Sequence, residues 1–265
     1  MDYDDAYANA AHIPEAESYP PRWEEAARAW REIEQAVGRA RLNQPYGDGA
    51  RQQFDLFLPA GRPKGVVVFV HGGYWRAFDN KSWSHLAAGP VARGWAVSMP
   101  SYPLAPEVPI SAITQSIAGA ITAIAAQTRG PMVLTGHSAG GQLVARMLCA
   151  DVDLPADVAA RLQRVLPISP VADLRPLIHT AMNQDLALSE AEAIAESPAL
   201  CQPARRVPVT VWVGADERPA FLMQAEVLAK AWHAVLHIAP GRHHFDVIDG
   251  LGNPDSPLVA ALLKD

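Results

Sequence analysis

Residues 66–70 read Val-Val-Val-Phe-Val, an uninterrupted apolar run that ends at His71-Gly72-Gly73. A strand with one wet face alternates apolar and polar side chains, so a strand with no polar position is covered on both faces. Segments of this type recur at 96–99, 132–135, 165–168 and 209–213, and the stretches between them carry helical signals. Ile110, Ile113, Ile117, Ile121 and Ile124 form one apolar helix stripe. Further helices are predicted near 82–93, from 139 through 149, at 219–232 and at 257–264, with a last short strand at 235–238. Strands alternating with helices predict a mostly parallel central sheet flanked by helices, with a binding crevice at the carboxyl ends of the strands.

Upstream, Pro20-Pro21 opens a predicted helix over 22–39, with Trp23, Ala26, Ala27, Trp30, Ile33 and Val37 at helical spacing. Tyr46-Gly47-Asp48-Gly49 marks a turn, and 54–58 alternates like a strand that stops at Pro59. The chain therefore divides into an N-terminal extension, residues 1–45, and a catalytic domain, residues 46–265. The extension either packs on the sheet or covers the site, and both placements stay open.

Composition narrows the partners. Of 265 residues, 49% are hydrophobic and 19% charged, which suits a well-buried globular core. The formal charge is −6 and no Lys/Arg run occurs, which argues against nucleic acid. No apolar run approaches the roughly 20 residues of a membrane helix, so no membrane partner is expected. The opening Met-Asp-Tyr-Asp-Asp is acidic and unlike a secretory leader. Cys149 and Cys201 are expected as free thiols in a reducing cytoplasm. Oligomeric state is not legible.

Gly136-His137-Ser138-Ala139-Gly140 follows a predicted strand and precedes a predicted helix. This is the G-x-S-x-G context of a serine nucleophile, in which a sharp turn projects Ser138 and small neighbours make room for it. The helix N-terminus then offers free N–H groups to a developing oxyanion. Gly72 and Gly73, which let backbone approach a carbonyl closely, complete a candidate oxyanion hole with Ala139. His71, which precedes them, reads as structural. Near the C-terminus, His244 in Gly241-Arg242-His243-His244 is the candidate general base, ahead of His243. The acid belongs after the strand at 209–213, where Asp216 and Glu217 both qualify; Glu217, three residues after Gly214, has the favoured spacing. Its task is to accept the second ring N–H of His244. His233, His237 and the vicinal pair lack a ligand set with metal spacing, so neither a metal nor a cofactor is expected.

These motifs, with Ser169-Pro170-Val171-Ala172-Asp173 and His244-Phe245-Asp246-Val247-Ile248, resemble the kynurenine formamidase (arylformamidase) branch of the α/β hydrolases. Tyr102-Pro103-Leu104-Ala105-Pro106-Glu107 is similar to a segment of the hormone-sensitive-lipase-like esterases, although Pro103 stands where those often have arginine. Glu217 occupies the place of the formamidase aspartate, before Pro219 and Phe221, and His243 replaces a polar residue. The resemblance implies an α/β-hydrolase fold and hydrolysis of a small acyl ester or aryl formamide through an acyl-enzyme. A general carboxylesterase or thioesterase uses the same residues. A ligand-binding homologue without turnover is a lesser alternative, because such proteins usually lose a triad member. Tyr74, Trp75, Trp83 and Tyr102, with Phe78, are candidates to line a pocket for a flat ring. Arg76 is a weaker candidate for a substrate carboxylate.

Overall fold

Strand β3 (Val66–Val70) shows why its run has no polar position. Val66, Val68 and Val70 enter one buried cluster, and Val67 and Phe69 enter a second on the opposite face. The computed structural model describes residues 2–264. Around β3 lie β1 (Ala40–Pro45), β2 (Gln53–Phe57), β4 (Ala96–Pro100), β5 (Met132–His137), β6 (Leu162–Ile168), β7 (Thr210–Gly214) and β8 (Val235–Ala239). They form one eight-stranded sheet in the order β1-β2-β4-β3-β5-β6-β7-β8. Only the β1–β2 and β2–β4 pairs are antiparallel.

The helices in chain order are α1 (Tyr3–Ala6), α2 (Tyr19–Ala36), α3 (Ala88–Ala92), α4 (Ile110–Gln127), α5 (Ala139–Arg146), α6 (Ala156–Ala159), α7 (Asn183–Leu186), α8 (Glu190–Ala195), α9 (Pro219–Trp232) and α10 (Pro257–Leu262). Helices α4, α5 and α9 cover one face of the sheet; Trp23 of α2 and Leu258, Val259 and Leu262 of α10 pack on the other. Helix α4 is apolar and long enough, by length and composition, to cross a bilayer, which the sequence reading did not anticipate. Its five-isoleucine stripe is instead fully buried in the core.

Three expectations shift. Residues 82–93 form a 3-10 turn, Ser84–Ala87, before α3 rather than one helix, because Pro90 has no N–H to carry an α-helix through. The sheet starts at Ala40, inside the predicted extension: β1 is a half-buried edge strand whose polar residues and bulge between Arg41 and Gln44 hid its period. Cys149 and Cys201 are joined in a disulfide, which corrects the reading of two free thiols. Arg205 draws the two segments together by donating to the carbonyls of Met147 (3.0 Å) and Val152 (3.2 Å). Closing a loop across a separation of 52 residues restrains the unfolded chain by about 4 kcal/mol in chain-entropy terms.

Candidate active site

The loops after β3, β5, β7 and β8 converge at the carboxyl edge of the sheet. Strand β5 runs straight into the elbow, where Ser138 takes φ 57° and ψ −117°. A serine in this region costs roughly 1–3 kcal/mol, so the surroundings must hold it there. The flanking glycines explain how. A Cβ on Gly136 would lie 2.3 Å from the Gly140 carbonyl oxygen, and one on Gly140 would lie 2.0 Å from that of Val70. Any side chain at either position would push the elbow off β3. The N–H groups of Gly72, Gly73 and Ala139 find no acceptor among the described residues. Gly73 sits at φ 104°, which needs glycine.

The structure brings His244 to Glu217 and leaves Asp216 out. His244 Nδ1 lies 2.6 Å from Glu217 Oε2. Glu217 Oε1 accepts from the Gly214 N–H at 2.9 Å and from the Ser169 hydroxyl. Both His244 and Glu217 are buried, at 4% and 7% exposure. Asp216 is exposed, and only its N–H is engaged, with the Arg242 carbonyl at 2.9 Å. The approach of the two loops depends on Gly214, where a Cβ would meet the Arg242 oxygen at 2.1 Å. A carboxylate on Nδ1 fixes the proton there and leaves Nε2 basic. The His244 ring lies between Phe221 and His137, with centroids at 4.2 Å and 4.6 Å. His243 is turned away, its Nε2 3.0 Å from the Tyr19 hydroxyl.

Ser138 and His244 line a cavity of about 480 Å³. Tyr74, Phe78 and Trp83 line it, and Arg76 stands in its wall paired with Asp185. Trp75 and Tyr102 do not, which corrects their assignment. Left-handed backbone at Tyr74 (φ 50°) and Trp75 (φ 57°) turns the indole into the core, where it donates to Gln142 Oε1 at 2.9 Å. Tyr102 is fully buried, stacks on His71 with centroids 4.2 Å apart, and donates to the His71 carbonyl at 2.9 Å. His71 thereby props the glycine loop.

The sequence reading left open whether the N-terminal extension covers the site. Tyr7, Asn9, Pro20 and Trp23 close the cavity from the N-terminal segment. Trp23 meets Trp83 at 5.1 Å and Phe245 at 5.4 Å between centroids. No motif in residues 2–23 decided this; the two-proline start of α2 and the helical spacing after it signalled only an ordered segment. His237 stacks on Trp212, away from the cavity, and no metal-ligating cluster is found among the described residues.

Burial pushes the His71 imidazole down to about 4. It also holds His137 well below the usual range, helped by the adjacent His244. Both groups stay neutral in the folded protein while the unfolded chain takes up protons near pH 6.5. The unfolded state then binds more protons, so stability falls as pH drops from about 6.5 toward 4. Tm measured between pH 7 and pH 5, above most carboxylate titration, is expected to decline steadily. A flat profile would show that these rings accept protons in place, or that Asp249, pushed up to about 6 by burial, offsets them.

A family model of the α/β hydrolase fold matches residues 67–237. The chain belongs to the α/β-hydrolase family. Within it, the α/β hydrolase lies in the kynurenine formamidase branch. It is 30% identical to a kynurenine formamidase of Drosophila melanogaster over 80% of this chain and 76% of that one. It is 28% identical to that of Salmo salar, over 87% and 84%. Among solved structures, a candidate thioesterase from Silicibacter sp. TM1040 is 57% identical, with a TM-score of 0.96 and 99% of each chain covered. This α/β hydrolase is accordingly a hydrolytic enzyme.

Proposed function

We propose that the enzyme cleaves a small aryl formamide, or a comparable acyl ester, through a Ser138–His244–Glu217 triad. The 2.6 Å contact of Glu217 with His244 Nδ1, beside a strained Ser138 on the same cavity, carries this reading. Nε2 of His244 takes the Ser138 proton as Oγ bonds to the substrate carbonyl carbon. The oxyanion rests against the N–H groups of Gly72, Gly73 and Ala139. His244 then passes the proton to the leaving nitrogen or oxygen as its bond to the acyl carbon breaks. Water, deprotonated by His244, releases the acid and restores Ser138. An arylamine leaves poorly, so formamide cleavage leans more heavily on that protonation than ester cleavage. The aromatic wall of Trp23, Phe78, Trp83 and Phe245 suits a planar ring.

The likeness to a candidate thioesterase favours a second reading, short-chain thioester or ester hydrolysis by the same residues. The two separate by kcat/KM on N-formylkynurenine, p-nitrophenyl acetate and an aryl thioester. We expect the formamide to lead by about a hundredfold. Ester or thioester turnover without formamide turnover would move the enzyme to the second reading. No turnover of any of the three by folded protein would overturn both.

A further inference from the structure

We propose that Trp75 and Gln142 are positioning residues, whose mutual hydrogen bond sets the spacing between the two halves of the oxyanion hole. This rests on the triad reading above and deepens it. The N–H groups of Gly72 and Gly73 belong to the loop after β3, and that of Ala139 opens α5. A developing oxyanion needs them within hydrogen-bond reach of one point. Backbone contact fixes the near end of the loop. A Cβ on Gly140 would meet the carbonyl oxygens of Val70 at 2.0 Å and His71 at 2.5 Å, and one on Gly72 would meet that of His137 at 2.8 Å. A Cβ on Gly73 would instead meet the Ala77 oxygen of its own loop, at 2.5 Å. Gly73, Tyr74 and Trp75 then run at φ 104°, 50° and 57°. Non-glycine residues in the left-handed region are unfavourable and persist only where neighbours hold them.

Trp75 supplies the hold. Its carbonyl accepts the Ala105 N–H at 2.8 Å, and its indole N–H donates to Gln142 Oε1 at 2.9 Å. Among the described residues no other hydrogen bond joins residues 71–78 to α5. Gln142 stands one turn after the nucleophile, its backbone N–H on the Ser138 carbonyl at 3.1 Å. Its amide has one workable orientation. Nε2 donates to the Glu196 carbonyl at 2.9 Å, which leaves Oε1 for an indole that can only donate. Both side chains are fully buried and neither lines the cavity, so neither touches a substrate. The bond acts through the backbone: it ties the residue two beyond Gly73 to the helix that carries Ser138 and Ala139.

The test measures kcat and KM on p-nitrophenyl acetate, and Ki for trifluoroacetophenone, in the wild type, Trp75→Phe, Gln142→Met and the double variant. Ser138 adds to the ketone: Oγ bonds to the carbonyl carbon, the carbonyl π pair becomes an oxyanion, and His244 Nε2 takes the hydroxyl proton. The adduct therefore samples the hole directly. Each single variant is expected to lower kcat by about thirtyfold and to raise Ki by the same factor, less than the loss of a whole donor, with KM within about twofold. The double variant should lose no more than the worse single one, because both changes remove the same bond. Ile121→Val, a buried change on α4, is the control: it should lower Tm and leave kcat and Ki alone. A merely structural Trp75 would behave like that control. Unchanged kcat and Ki in either single variant that folds would overturn the proposal, and so would a loss confined to KM. If the wild type cleaves the ester, Ser138→Ala does not, and the variants match the wild type, the triad stands and only the positioning role falls. A wild type that turns over none of the three substrates above and does not bind the ketone would overturn the hydrolase reading and this proposal together.

Discussion

Replacing Ser138 with alanine is expected to lower kcat by about 10⁴-fold or more on every substrate the enzyme turns over. The elbow is held by backbone contacts and not by the hydroxyl. Its shape is set by Gly136, Gly140 and the bond from the Ser138 N–H to the Ile168 carbonyl at 2.8 Å, all of which the variant keeps. Tm should therefore stay within a degree or two of the wild type, since the change removes one atom and no packing contact that the core uses. What remains after the substitution is the rate the cavity and its N–H groups supply without a nucleophile. Retention of wild-type turnover by purified Ser138→Ala would remove the acyl-enzyme from the mechanism.

Glu217→Gln is expected to cost about 10³-fold in kcat/KM or more. The reason is a conflict that the amide cannot resolve. Oε2 faces the proton on His244 Nδ1, and Oε1 faces the N–H of Gly214 and the hydroxyl of Ser169. Glutamine has one oxygen. Turned toward Gly214, it offers an NH2 to His244, moves the ring proton to Nε2 and blocks proton abstraction from Ser138. Turned the other way, it sets two donors against each other at Gly214. Asp216→Asn, measured beside it, should change kcat/KM by about threefold at most, because that side chain is exposed and bonded to nothing in the site. Small, equal losses for both would mean that neither carboxylate orients His244.

The contrast between these two neighbours shows where sequence reasoning works. Strand-by-strand alternation brought the candidate groups to one edge, because parallel strands deliver their loops there whatever the loops contain. The spacing from Gly214 favoured Glu217, and Gly214 proves to be the position where the acid loop and the histidine loop touch. The aromatic candidates were harder. Tyr74, Trp75, Trp83 and Tyr102 stand close together in the chain and have similar chemistry, yet two face the cavity and two are core. Left-handed backbone at two successive residues separates Tyr74 from Trp75, and no residue type there announces it. The disulfide was missed, and the N-terminal wall left undecided, for a related reason. Both are contacts between segments far apart in sequence that carry no periodic signal of their own.

The wall built by Tyr7, Asn9 and Trp23 has an evolutionary corollary. The proposed triad hangs from the sheet, where almost any change disturbs the core. Selection for a new substrate would act more cheaply on the opening two dozen residues. These touch the cavity without carrying the elbow, the acid or the base. Relatives with one reaction and different diets should thus diverge first at their beginnings, and grafting that stretch between them offers a direct route to exchanging what they accept.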